Sequence, residues 1–189
     1  MLKKEARKIF REKRIAIATN EKMKLDALLL IEFQKLSLPF FSTVLSFYPV
    51  EENNEPDTFT ITSYLQFKNP GLLVAYPKTD FFNHTMQAII CEEDSLFENN
   101  SFSIPEPTGS DSISPEQIDM VLVPLLAFDK KGYRVGYGKG FYDRFLQQCK
   151  SNCIKIGLSY FDPIDAINDA DEFDVPLNFC ITPQKVYVF

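Results

Sequence analysis

Basic charge is in short supply in this sequence. Its 189 residues hold 20 lysines and arginines against 26 aspartates and glutamates, a formal net charge of −6. A chain of that sign has no general attraction for nucleic acid or anionic membrane, so neither is expected as a partner. Long apolar runs are also missing. The notable ones, residues 27–31 and 120–128, fall far short of a membrane span. The start of the chain is polar and lacks the apolar stretch and small-residue cleavage site of a secretory signal, so a soluble, cytoplasmic protein is expected. There is one histidine, His84, and the four cysteines (Cys91, Cys149, Cys153 and Cys180) form no C-x-x-C pair. That argues against a Cys/His zinc centre, and the cysteines read as reduced and mostly buried.

What is present is ordinary in amount and uneven in placement. At 45% hydrophobic and 24% charged residues the composition is that of a globular domain, and the length suggests one domain able to bury a real core. A monomer is expected. Residues 1–14 carry seven basic and two acidic side chains, while residues 91–119 carry eight acidic and no basic ones. Basic charge at the start and around 130–144 is placed to converge on one anion.

Periodicity predicts an amphipathic helix over 3–18, with Leu2, Ala6, Ile9, Phe10 and Ile17 on one arc and Lys3, Arg7 and Arg14 as an adjoining stripe. Asn20 is placed to cap a second, leucine-rich helix over about 21–36, and Asp57 or Thr58 a third to about Phe67. Strands are expected at 43–48, at 72–76 before Pro77-Lys78, at 86–91, from 121, and at 154–160, 179–182 and 186–189. A helix is expected over 140–150. Residues 92–115 are acidic and rich in Asn, Ser and Pro, and read as a long connection with little regular structure that covers a site. Strands alternating with helices give an α/β class with a mainly parallel sheet.

Glycine is scarce, with seven in all, yet four fall in the thirteen residues 132–144, GYRVGYGKGFYDR. Gly136, Gly138 and Gly140 alternate around Lys139, after an apolar strand and before a helix start. Glycines let backbone N–H groups approach phosphate oxygens, and Lys139 and Arg134 add charge. The spacing is neither G-x-x-x-x-G-K-[ST] nor G-x-G-x-x-G. A plain tight turn would also use these glycines. Asp143, in the first turn of the helix, is either an acid complementing the helix end or a magnesium ligand beside phosphates. Tyr142 is either core or a platform for a flat heterocycle. Lys3 and Arg7 read equally as the solvated side of a helix, and Glu55 as one more acid in a polar loop. His84 reads as structural or surface, and most of the 18 phenylalanines as core.

The string resembles the signature of the 5-formyltetrahydrofolate cyclo-ligase (methenyltetrahydrofolate synthetase) family. There an apolar VP-x-x-AFD strand runs into G-x-R-x-G-x-G-x-G-x-YD. The matching residues here are Val123, Pro124, Ala127, Phe128 and Asp129, then Gly132, Arg134, Gly136, Gly138, Gly140, Tyr142 and Asp143. The early basic helix, the segment EPDT at 55–58, Pro77-Lys78, Pro105-Glu106-Pro107 and Phe173-Asp174 follow the family's order. Tyr137 stands at a variable position, Phe141 where tyrosine is common, and Pro56 where proline is unusual. Asn178 stands where an acid often follows Asp174 by four residues.

The resemblance implies a three-layer α/β/α sandwich and an ATP- and Mg²⁺-dependent ring closure of 5-formyltetrahydrofolate to 5,10-methenyltetrahydrofolate, with ADP and phosphate released. The γ-phosphoryl group activates the formyl oxygen, N10 attacks the activated carbon, and phosphate leaves. Such chemistry asks for positioning and charge neutralisation, not for an acid–base histidine. The resemblance further implies that Lys3, Lys4, Arg7, Arg134, Val135, Gly136, Tyr137, Gly138, Lys139, Gly140, Phe141 and Tyr142 hold ATP. Glu55, with Tyr137, Gly138, Lys139, Gly140, Phe141 and Tyr142, would hold the folate. Asp143 and Asp174 would bind Mg²⁺, and Lys139 and Arg134 would be catalytic. Two other classes stay open: another small-molecule kinase using the same turn, and a noncatalytic folate or nucleotide carrier.

Overall fold

The structure is a computed structural model that describes residues 1–189. In chain order it forms α1 (Lys3–Ile15), α2 (Thr19–Phe33), β1 (Thr43–Leu45), α3 (Thr58–Lys68), β2 (Leu73–Asp80), β3 (Thr85–Cys91), β4 (Phe97–Asn99), β5 (Pro105–Pro107) and β6 (Ser112–Ile113). There follow β7 (Met120–Val123), β8 (Ala127–Phe128), β9 (Arg134–Val135), α4 (Phe141–Leu146), β10 (Ile154–Leu158), β11 (Phe179–Ile181) and β12 (Val186–Val188). Eight strands build the main sheet in the order β12-β11-β10-β7-β1-β2-β3-β6. The five from β11 to β2 are parallel, and β12, β3 and β6 pair antiparallel at the edges.

Alternation along each central strand sorts side chains to the two faces. Met120 and Leu122 of β7 join Val44, Val74, Ile156 and Leu158 in one cluster, under Leu29 and Phe33 of α2 and Ile61 and Leu65 of α3. Val121 and Val123 join Leu45, Ala75, Phe145 and Leu146 in the other, under α4. Helices on both faces give the expected three layers, although the second helical layer is only six residues of α4. Gly157 shows how tight that face is: a Cβ there would lie 2.5 Å from Leu125 Cδ2 and 2.8 Å from Leu177 Cδ1. Ala6 and Phe10 of α1 pack with Leu126 and Val135 against the β8–β9 ribbon, beside the sheet.

Several expected boundaries move, for local reasons. The second helix starts at Thr19 without a side-chain cap, so Asn20 is not its cap, and Leu28 and Ile31 stay exposed. Asp57 does cap α3, accepting from Phe59 N at 2.9 Å. Strand β2 runs on through Pro77. Ala75 O accepts from Ser46 N, so alternate residues face β1, and the missing N–H of Pro77 falls on the side that β1 has already vacated. The helix after the glycine turn stops at Leu146, where i→i−3 bonds from Gln148 and Cys149 tighten the chain. The 92–115 segment is more regular than expected: β4 and β5 pair as a hairpin, and β6 lies on the sheet edge.

Candidate active site

The chain leaves β1 in one direction along the sheet, through α3 to β2. It leaves β7 in the other, through α4 to β10. Opposite directions with one crossover hand put the two helices on opposite faces, and a crevice opens where they diverge. A cleft of about 540 Å³ lies there, at the carboxyl ends of β1, β2 and β7. Val50, Asn53 and Glu55 line it after β1, Pro77 and Thr79 late in β2, and Pro124 after β7.

The glycine turn at 136–140 forms one wall. Gly138 has φ +94° and Gly140, which caps α4, has φ +69°, both in the region glycine favours. The Arg7 guanidinium lies across this turn. Its Nε donates to Gly136 O at 2.9 Å, and its Cζ would sit 3.1 Å from a Cβ at Gly138. The basic helix and the glycine turn therefore converge. Outside the turn, Arg144 Nη2 donates to Lys139 O at 2.8 Å and its Nε to His84 O at 2.9 Å, which ties the turn to the β2–β3 hairpin. The Lys139 side chain is exposed and rests over the Phe102 ring, with Nζ 5.5 Å from the centroid.

Two aspartates face the cleft, each held by a cation. Arg134 is buried and donates from Nη2 to Asp143 Oδ1 at 2.7 Å and from Nη1 to Val175 O at 2.5 Å. Asp143 Oδ1 also accepts from Val175 N, so the carboxylate's bonds within the protein fall on that oxygen. Lys3 Nζ donates to both oxygens of Asp174, at 2.8 and 2.5 Å. No group of three or more Asp, Glu, His or Cys gathers to make a closed metal cage. Two aspartates alone suit Mg²⁺ arriving with phosphates, since that ion takes one or two carboxylates and fills its octahedron with phosphate oxygens and water.

At the deep end lies Glu55, 4% exposed. Its Oε2 accepts from Val50 N at 2.9 Å, and its Oε1 accepts from the Tyr137 hydroxyl and lies 3.6 Å from Arg14 Nη2. Arg14 Nη2 in turn donates to the Tyr137 oxygen. Pro56, Asp57 and Thr58 deliver Glu55 to this place: Thr58 Oγ1 donates to Phe47 O at 2.6 Å, pinning the start of α3 against the exit of β1. The Tyr137 ring is partly exposed, but its hydroxyl is enclosed. Burial, and then the Glu55 charge, push that phenol far above its ordinary range. Tyr142 also lines the cleft, but its hydroxyl is shut away from solvent. Burial first, and Glu55 second, hold it protonated well past the usual phenol pKa, and it is the one buried side-chain polar atom without a hydrogen-bond partner in the protein.

The 92–115 connection does cover the site. Phe102, Ile104 and Glu106 line the cleft, and Phe102 packs at a tilt against Phe81 with ring centroids 4.4 Å apart, while Phe81 meets Phe141 edge-on at 5.3 Å. Glu106 Oε1 accepts from Thr79 N at 3.0 Å and Asn100 Nδ2 at 2.9 Å, which folds the connection down on β2.

Of the residues singled out from the sequence, Lys3, Arg7, Glu55, Arg134, Gly136, Tyr137, Gly138, Lys139, Gly140, Phe141, Tyr142, Asp143 and Asp174 meet in this one cleft. Lys4 does not: it is exposed on the outer side of α1. Val135 is wholly buried in β9 against α1. Asn178 lies at the entry of β11, away from the cleft, where its Oδ1 accepts from Lys155 N at 2.9 Å, so it completes no site with Asp174. Asp129 of the signature is structural, accepting from the Lys131, Tyr133 and Ile167 amides. Sequence reading missed the buried role of Arg14 and the lining roles of Arg11, Asn53 and Phe102. Arg14 follows Lys3 and Arg7 at helical spacing on one stripe, and that was the available signal.

Comparison with known proteins bears on the same cleft. Residues 1–183 match the model of the 5-formyltetrahydrofolate cyclo-ligase family. A 5-formyltetrahydrofolate cyclo-ligase of Mycoplasma pneumoniae is 33% identical over 188 residues, covering 97% of this chain and 100% of that relative. One from Haemophilus influenzae is 36% identical over 117 residues, 60% of this chain and 61% of its own length. Among solved structures, the 5,10-methenyltetrahydrofolate synthetase of Aquifex aeolicus superposes with a TM-score of 0.80 at 28% identity, covering 100% of this chain and 93% of that one. The Mycoplasma pneumoniae synthetase gives 0.74 at 30% identity, covering 96% and 98%. With the glycine turn, the basic helix and the carboxylates brought to one crevice, and with relatives matching along the whole length, the chain belongs to the 5-formyltetrahydrofolate cyclo-ligase family and is a ligase.

Proposed function

We propose that the chain, acting as one domain, closes 5-formyltetrahydrofolate to 5,10-methenyltetrahydrofolate at the expense of ATP and Mg²⁺. The observation that carries this reading is the Arg7 guanidinium lying on the glycine turn, in the same cleft as the buried Glu55 carboxylate. That arrangement offers cations and backbone amides for a triphosphate within reach of an acceptor for a pterin's amino and ring N–H groups.

Lys3, Arg7, Arg134 and the backbone of residues 136–140 hold the triphosphate. Lys139, free to swing from the Phe102 ring, neutralises charge on the γ-phosphoryl group as it passes to the formyl oxygen. Asp143, through the Oδ2 left free by Arg134 and Val175, and Asp174 would hold Mg²⁺, which would supply charge neutralisation on the phosphates. Glu55 orients the pterin, and Tyr142 forms part of the wall of the same cleft. With both substrates held, N10 attacks the activated formyl carbon, the C–O bond to phosphate breaks, and phosphate leaves. The short helix α4 adds little dipole, so the charge is supplied by side chains and turn amides.

The test is to incubate the protein with Mg-ATP and 5-formyltetrahydrofolate and to follow the methenyl chromophore together with ADP. Both products in equal amount are expected. ADP alone would indicate a kinase or hydrolase, and bound folate with neither product a carrier.

A further inference from the structure

We infer that Arg14 is a positioning residue for the folate, and that Tyr137 carries its hold into the phosphate-binding turn, so that nucleotide and folate bind cooperatively. This rests on the reading of Glu55 as the folate contact. Arg14 is 3% exposed, and its guanidinium touches three separate segments. Nε donates to Asn53 O at 2.7 Å in the loop after β1, Nη1 to Leu125 O at 3.0 Å in the exit of β7, and Nη2 to the Tyr137 hydroxyl in the glycine turn. Asn54 locks the same loop to the end of α1 by donating from Nδ2 to Arg14 O at 3.0 Å and Ile17 O at 3.0 Å. Each nitrogen of the guanidinium thus has a protein partner, and Arg14 acts through Glu55 and Tyr137.

The Tyr137 hydroxyl is the joint. It accepts from Arg14 and donates to Glu55 Oε1, and a chain of hydrogen bonds running one way strengthens each member. The residue itself belongs to the turn proposed to take the phosphates. Ordering the turn around phosphate fixes the tyrosine, and the fixed tyrosine holds Glu55 in the orientation the pterin needs. Linkage then requires the reverse effect of equal size, with folate tightening nucleotide binding. Phenylalanine at 137 would keep the ring and remove only the joint. Lysine at 14 would keep the charge and lose the fork that reaches three segments at once.

The experiment uses the full chain and three proteins: wild type, Tyr137→Phe and Arg14→Lys. Titration calorimetry measures 5-formyltetrahydrofolate binding with and without a non-hydrolysable Mg-ATP analogue, and thermal melts report folding. Wild type is expected to bind the folate about tenfold tighter with the analogue present. In Tyr137→Phe that ratio should fall to within about twofold of unity while the protein still melts in one cooperative transition, lowered by a few degrees because Arg14 and Glu55 lose the hydroxyl. Arg14→Lys should weaken folate binding about tenfold with no analogue present, where the coupling plays no part, and leave binding of the analogue alone within about twofold of wild type. A Tyr137→Phe protein that keeps the wild-type ratio overturns the proposal, as does an Arg14→Lys protein that binds the folate alone as tightly as wild type, or that loses affinity for the analogue alone to the same extent. Should Arg14→Lys fail to fold, the Tyr137→Phe ratio decides. A wild type that makes no methenyl product removes the reading beneath, and this inference with it. A wild type that turns over without the coupling removes the inference alone.

Discussion

Glu55 and Asp174 face the same cleft, and each is paired with a basic residue from one stripe of α1, Arg14 and Lys3. The surroundings differ. Arg14 and Glu55 have side chains 4% and 5% exposed, and each Arg14 guanidinium nitrogen has a protein partner. Lys3 and Asp174 are both 15% exposed, and their pairing rests on one flexible ammonium. A buried pair whose remaining donors are all satisfied is fixed, because separating it strands a charge in a poor solvent. A pair at the mouth can change partners at little cost. One helix face thus supplies a rigid end suited to a flat ring and an exchangeable end suited to metal and phosphate.

Substitutions can break or sharpen this contrast. The largest effect is expected at the mouth and in turnover alone. Lys139→Ala should lower kcat by about 10³-fold, by loss of charge stabilisation at the transferring group. Its thermal melt should match wild type, because Lys139 is exposed and its ammonium makes no hydrogen bond or ion pair, only the contact with the Phe102 ring face. A wild-type rate would remove Lys139 from the mechanism. Next comes the deep end, in stability. Glu55→Ala leaves Arg14 buried without its counter-charge and should cost about 3 kcal/mol in urea unfolding. A cost below 1 kcal/mol would show the deep end to be as exchangeable as the mouth. Asp143→Asn should then raise the Mg²⁺ needed for half-maximal rate about tenfold and, because buried Arg134 loses its counter-charge but keeps an acceptor, lower stability by less than Glu55→Ala does. An unchanged metal titration would sink the assignment. The smallest effect belongs to Lys3→Met, at about 1 kcal/mol or less in stability, further reduced by salt. A loss as large as that of Glu55→Ala would erase the distinction between the two pairs.

The elements that could be read in advance were those whose pattern is local. The buried run at 120–123 marked the central strand, and Asp57 ahead of a β-branched run marked the start of α3. Glycines in close succession marked a turn, and two of them do take positive φ. What could not be read depends on partners far away in sequence. Pro77 stays within β2 only because β1 ends opposite it. Ile9 was assigned to the apolar arc of α1 but is partly exposed, while Arg14, from the polar stripe, is buried. A guanidinium can be buried when carbonyls and a carboxylate meet it, and those come from residues 53, 55 and 125. The covering role of the 92–115 connection was expected from its length, but its hairpin was not, since alternation over three residues carries no signal.

The convergence of α1 with residues 134–143 and 169–174 also sets an order of assembly. Helix α1 meets its binding partners only after residues 136 and 174 have been made. Lys3 reaches Asp174 across 171 residues and Arg7 reaches Gly136 across 129. Contacts of such separation close late, after the local helices and the β2–β3 hairpin have formed. A nascent chain released before residue 174 would therefore carry most of the sheet but no intact mouth, and ligand could not rescue it. Nucleotide or folate added during refolding should speed only the last step, the docking of α1.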